Sequence, residues 1–222
     1  MVEYRKDELV NNEFYHICSK SIAGYIIFNN DREFFRMLAL LKYYQIEVVP
    51  ARFSHFIKNI GIKGFDAKFE KSFDKKNRLV RIVAYCLMPT HVHLILEQLK
   101  DEGISRYMSN VLNSYSRYFN TLHKRKGPLW QGRFKSILVD GEEQLVHLTR
   151  YIHLNPTTSQ IVRAPQEWIY SSYREYLERN DEQKFCLFDD VLEISAGEYK
   201  KFCEDRISYQ QELAKIKSLV LE

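Results

Sequence analysis

Cysteine is sparse in this chain. Four in 222 residues, Cys18, Cys86, Cys186 and Cys203, show none of the close pairing that zinc sites or disulfide frameworks require. They are expected as reduced core residues. No apolar run approaches the roughly 20 residues of a membrane-spanning helix. The opening "MVEYRKDELVNNEF" is too charged for a secretory signal, so a cytoplasmic location off the membrane is expected. Repeats and low-complexity stretches are missing, and so is a strong excess of either charge. Lys and Arg number 33 against 29 Asp and Glu, for a net charge of +4 and a pI near 8.7. Such a balance suits an anionic partner without demanding one. Aromatic residues are plentiful at 14%, with fifteen Tyr and fourteen Phe. They fill cores or offer stacking surfaces, and composition does not choose.

The order of elements is legible from pattern. Residues Glu13 to Phe28 mix aromatic, β-branched and polar types as a strand does. "NNDREFFRMLALLKYYQ" opens on an Asn/Asp cap and carries Phe34, Met37, Leu38, Leu41 and Tyr44 at helical spacing. Residues 46–78 turn Lys-rich and irregular, as a surface excursion would. "LVRIVAYCLMPTHVHLILE" is two strand-forming runs around Met88, Pro89 and Thr90, which predicts a hairpin. A helix is expected over 102–124, a break at Gly127-Pro128, and a short strand from Phe134 to Val139. Asp140 with Glu143 reads as a capping box for the helix "EEQLVHLTRYIHLN", which Pro156 should end. The sum is an α+β fold, an antiparallel sheet with helices on one face. Residues 1–180 form the expected domain, with an insertion at about 46–78, and 181–222 form a C-terminal extension.

Chemistry concentrates in "MPTHVHLILE". On a strand, His91 and His93 share a face while Val92, Leu94 and Leu96 take the other. Two adjacent imidazoles make a hydrogen-bonded polar face or two ligands of a metal, and two ligands alone are not a site. In "HLTRYIHLNP", His147, Tyr151 and Asn155 recur every four residues along one helical stripe beside the apolar Leu145, Leu148 and Ile152. That stripe can point a phenol and an amide along the sheet. An ordinary core-edge tyrosine and an asparagine near a helix end read equally well from spacing.

The ordered set "YCLMPTHVHLIL", "GPLWQGRFKSILVD", "RYIHLNP" and "WIYSSYREYL" resembles the single-tyrosine HUH transposases, specifically their REP-associated tyrosine transposase branch. The resemblance covers residues 12–178 apart from the 46–78 excursion. It implies a ferredoxin-like sheet, His91 and His93 as metal ligands, Asn155 as the third ligand and Tyr151 as nucleophile. It further implies Mg²⁺ or Mn²⁺ as cofactor and single-stranded DNA beside a hairpin as substrate. A 5′-phosphotyrosine intermediate and a free 3′-OH would result, with a homodimer possible and the site formed in cis or in trans.

Lys124, Arg125 and Lys126 with Trp130, Gln131 and Arg133 mix cations with an aromatic ring, as single-strand binding surfaces do. A solvated face is the other reading, and the resemblance favours DNA contact. His147 is a candidate auxiliary that orients or deprotonates the phenol, contacts phosphate, or does neither. A DNA-binding regulator that has lost transposition is the competing function, and a replication-initiator nickase a third.

Overall fold

Strands that are apolar on both faces need cover on both faces. "VRIVAYCLM" and "HVHLILEQ" are such runs, and in the computed structural model they are the buried strands β2 (Val80–Met88) and β3 (His91–Gln98). The structure describes residues 8–60, 77–178, 185–207 and 209. A two-residue connection, Pro89–Thr90, joins β2 to β3 as expected, with Met88 opposite His91. β1 (Phe14–Lys20) pairs with the other edge of β3, and β4 (Lys135–Leu138) pairs with β1, giving a four-stranded antiparallel sheet in the order β2-β3-β1-β4.

Helices cover both faces, not one as the order of elements alone suggested. α1 (Asp31–Tyr44) packs on α3 (Gly103–Leu122). α3 begins against the Gln98 side chain, which accepts from the Ile104 amide at 3.2 Å. Gln98 is odd-step from His93, so α3 lies on the face away from the histidines. α4 (Gly141–Thr158) runs over the histidine face of β2 and β3. The remaining helices are α2 (Phe53–Ile60), α5 (Tyr173–Glu178) and α6 (Ala196–Glu204).

Several expectations change in detail. The first strand stops at Lys20 rather than Phe28, because Ala23 (φ 49°) and Gly24 (φ 66°) turn the chain through left-handed conformations. Asp140 precedes α4, but its side chain makes no cap bond. Gln144, not Glu143, reaches back to the Asp140 amide. Pro156 does not end α4, which continues to Thr158. In the last turn its missing N–H forfeits one bond only, and Ser159 N on Asn155 O at 2.9 Å and Ile161 N on Pro156 O at 2.9 Å close the end.

The 46–78 excursion leaves and returns at one point, where Ile46 bridges Arg78 and the Glu47 amide donates to Asn77 O. Its early part is not all surface. Phe53 is fully buried, its ring 5.1 Å from that of Tyr43, while residues 61–76 lie outside the described ones. Phe188, Leu192, Tyr199 and Cys203 from the late chain join the same core. Burying each such large side chain stabilises by about 1.5–3 kcal/mol. All four cysteines are free, and only Cys18 is less than fully buried.

Candidate active site

Strand pairing alone brings the three histidines together. On the histidine face, Cys18 of β1 stands opposite His93 and His16 opposite Ile95, so His16 sits one diagonal step from His93. Their rings stack at 5.2 Å and 17°, and His16 Nε2 lies 2.9 Å from His93 Nδ1. His91 and His93 approach edge to face at 4.9 Å. Thr90 Oγ1 sits 3.0 Å from His91 Nδ1. Both members of the His-x-His pair therefore spend Nδ1 on the protein. Neither Nε2 has a hydrogen bond among the described residues.

Burial holds all three imidazoles neutral near pH 7. It pushes His16 and His91 down to about 4, Lys20 adding to the second, and His93 down to about 2 with His91, His16 and Lys20 contributing. Neutral imidazoles are the form that binds metals.

α4 brings the phenol. The Tyr151 ring stands edge-on to His93 at 5.9 Å and to His16 at 6.2 Å, and the residue is 44% exposed. One chain thus carries its own tyrosine to its own histidines. Asn155, one turn on, has a buried Nδ2 with no hydrogen-bond partner. A half-rotation of the amide exchanges Nδ2 and Oδ1. Among the described residues no three His, Cys, Asp or Glu side chains converge as an ion site. His16 fails to complete one because its Nε2 is turned onto His93.

α4 is gripped on both sides of Tyr151. Arg150 lies 3.8 Å over the Phe202 ring and donates to the Phe202 carbonyl at 3.2 Å. His153, fully buried, bonds Tyr199 Oη at 2.6 Å and Ser172 Oγ at 2.7 Å.

Residues 39–155 match the family described as IS200-like transposases. The chain belongs to that family. The matched span includes His91, His93, Tyr151 and Asn155, while His16 falls before it. A Haemophilus influenzae (strain ATCC 51907 / DSM 11121 / KW20 / Rd) protein assigned as a REP-associated tyrosine transposase is 27% identical over 101 residues, 41% of this chain and 57% of that relative. The match thus spans little more than half of that relative's length. A solved REP-associated tyrosine transposase, bound to a REP hairpin, has the same fold. The TM-score is 0.53 at 18% identity, covering 88% of this chain and 96% of that one. No helix among the described residues is long and apolar enough to cross a membrane.

In this member of the IS200-like transposase family the residues of the basic segment differ in their surroundings. Trp130 is buried, and its indole N–H donates to Leu112 O at 3.2 Å. Its ring is mostly packed in the core and leaves only a small part open beside Asn113 and Arg133. Arg125 holds its own loop, donating to Asn120 Oδ1 at 3.1 Å and Pro128 O at 2.7 Å. Lys124, Lys126, Gln131 and Arg133 are exposed. The Gln131 amide donates to Lys20 O at 2.9 Å, and Lys20 pairs with His91, so the segment reaches the edge of the histidine cluster. His147 faces elsewhere: its Nδ1 accepts from Arg150 at 2.8 Å and its ring lies 5.4 Å from Phe202. Sequence spacing missed His16, whose only signal is its place mid-strand in "FYHICSK".

Proposed function

We propose that this chain cuts and rejoins single-stranded DNA, with Tyr151 as nucleophile. The observation that carries the reading is the phenol standing over the His16–His93 pair within one chain. Attack by the Tyr151 oxygen forms an O–P bond and breaks the P–O3′ bond. The 3′-oxygen takes up a proton, and the exposed phenol loses its own to water. The 5′-phosphotyrosine keeps the energy of the broken bond, so a 3′-OH reverses the step without ATP.

The residues present fit a divalent cation, Mg²⁺ or Mn²⁺. His91 and His93, neutral and with free Nε2 atoms, and the oxygen of the Asn155 amide, whose Nδ2 lacks a partner, would hold it. When bound, the ion withdraws charge from a non-bridging phosphate oxygen. The protein's own part is to fix the ring nitrogens through Thr90 and His16 and to aim the phenol by docking α4. The relative solved with a REP hairpin supports DNA beside a hairpin as the substrate. Lys124, Lys126, Gln131 and Arg133 lead the strand to His91, and His147 is assigned no chemical step.

End-labelled single-stranded DNA incubated with the protein and Mn²⁺ tests the reading. A covalent adduct should form and Tyr151→Phe should abolish it while binding persists. Binding with no adduct from the unaltered protein would leave a DNA-binding regulator instead.

A further inference from the structure

Strand register lays the histidine face out as a grid. β3 contributes His91, His93 and Ile95, and directly opposite them in β1 stand Lys20, Cys18 and His16. β4 adds Lys135 opposite Cys18 and Ile137 opposite His16. Residues paired across antiparallel strands share a face, with Cβ atoms about 4.5–5.5 Å apart, and diagonal neighbours stand roughly 7–8 Å apart. Lys20 therefore flanks His91 directly, and Lys20 and Lys135 stand on two sides of the half-buried Cys18. Cys18 is shorter than the side chains around it. It forms the floor between two ammonium groups, the imidazoles and, standing over His93 and His16, the Tyr151 ring.

A lysine on a protein surface commonly meets a carboxylate. Lys20 and Lys135 are exposed, yet neither has an ion-pair partner among the described residues. The carboxylate on the same face of β3, Glu97, is engaged by Arg81 at 2.9 Å. The two charges reach the site all the same. Behind burial, Lys20 helps to hold His91 and His93 down, and against burial both lysines draw the Cys18 thiol down. A phosphodiester presents two non-bridging oxygens. A cation on His91, His93 and Asn155 would withdraw charge from one of them, and the other requires a second source of positive charge. The neutral imidazoles do not supply it. The lysines do.

We propose that Lys20 and Lys135 straddle Cys18 to grip the phosphate that Tyr151 attacks, with the Lys20 ammonium on the non-bridging oxygen that faces away from the cation site. Lys20 is then a catalytic residue. It moves no proton: charge that builds on that oxygen while the phenol O–P bond forms and the P–O3′ bond breaks is met by an ammonium already in place. The inference rests on the DNA-cutting reading and adds to it a charge contact from β1 and β4.

Both side chains are exposed, so Lys20→Gln and Lys135→Gln should fold, as an unchanged thermal midpoint will show. At saturating single-stranded DNA with Mn²⁺, adduct formation in a single turnover should slow about 10²-fold in Lys20→Gln, and Lys20→Arg should recover most of the rate. A second readout needs neither metal nor chemistry. In a Tyr151→Phe background with EDTA, fluorescence anisotropy across a range of NaCl concentrations gives the log–log salt slope of affinity for the single strand. That slope should shrink by about 1.4 in the double variant Lys20→Gln/Lys135→Gln, near 0.7 per lost phosphate contact. An unchanged slope would overturn the proposal, and so would an unchanged rate in Lys20→Gln where the unaltered protein forms adduct. Absence of adduct from the unaltered protein, with the slope change intact, would count against Tyr151 chemistry and leave the phosphate grip standing.

Discussion

His16 and His93 share one hydrogen bond, Nε2 to Nδ1 at 2.9 Å, between stacked neutral rings. A bond between two neutral imidazoles needs one proton. With that proton on His93 Nδ1, His93 Nε2 keeps its lone pair for a cation and His16 becomes the partner that fixes the tautomer.

His16→Phe preserves a stacked ring and removes the acceptor. Mn²⁺ affinity, measured by calorimetry in a Tyr151→Phe background so that no chemistry intervenes, should weaken about 10–100-fold. His16→Gln should recover part of the loss through its amide oxygen. Equal Mn²⁺ affinity in the unaltered and His16→Phe proteins would refute the positioning role.

His153 gives a dependence of stability on pH. Unfolded, it titrates near 6.5; burial in the fold pushes it down to about 3. Between those values the unfolded chain holds the extra proton, so acid favours unfolding. The contribution is complete above pH 6.5 and is lost as pH falls toward 3, at about 1.4 kcal/mol per pH unit for one group. His16, His91 and His93 act in the same direction. Urea unfolding of His153→Gln should show a shallower slope of stability against pH in this window, by about one proton. An unchanged slope would place that proton elsewhere.

Gly103 begins α3 where a Cβ would run into the Leu79 carbonyl oxygen. That oxygen is backbone at the start of β2 and accepts from the Leu99 amide, so it cannot swing aside cheaply. Gly103→Ala should cost about 1–3 kcal/mol, against the usual gain of Ala over Gly in a helix. A denaturation midpoint at or above that of the parent would contradict the crowding.

Trp130 separates a core role from a stacking role. Trp130→Ala should destabilise by about 3–5 kcal/mol. Trp130→Phe should fold, lose the bond to Leu112 O, and bind single-stranded DNA as the parent does. Were the ring a platform for bases, removing its indole would weaken DNA binding at unchanged stability.

The β2–β3 hairpin was legible because two apolar runs flank a Pro-Thr turn, and the α4 stripe because its period is helical. What escaped depends on strand order and on partners far along the chain. His16 becomes a neighbour of His93 only once β1 docks beside β3, and a lone histidine in "FYHICSK" announces no register. The order of elements suggested helices on one face, because it does not say that α4 would pack on the side of the sheet opposite α3. Trp130 sits among cations in sequence, and only the approach of α3 turns it inward. Pro156 reads as a stop because proline breaks helix interiors, a rule that weakens in a last turn where one bond is at stake.

Arg150 and His153 bracket the phenol, and both are anchored about fifty residues later, on Phe202 and Tyr199. A polypeptide severed between α5 and α6 would retain every side chain of the proposed site and lose the contacts that flank one of them. On the proposed reading, the aim of the nucleophile would depend on side chains supplied by α6.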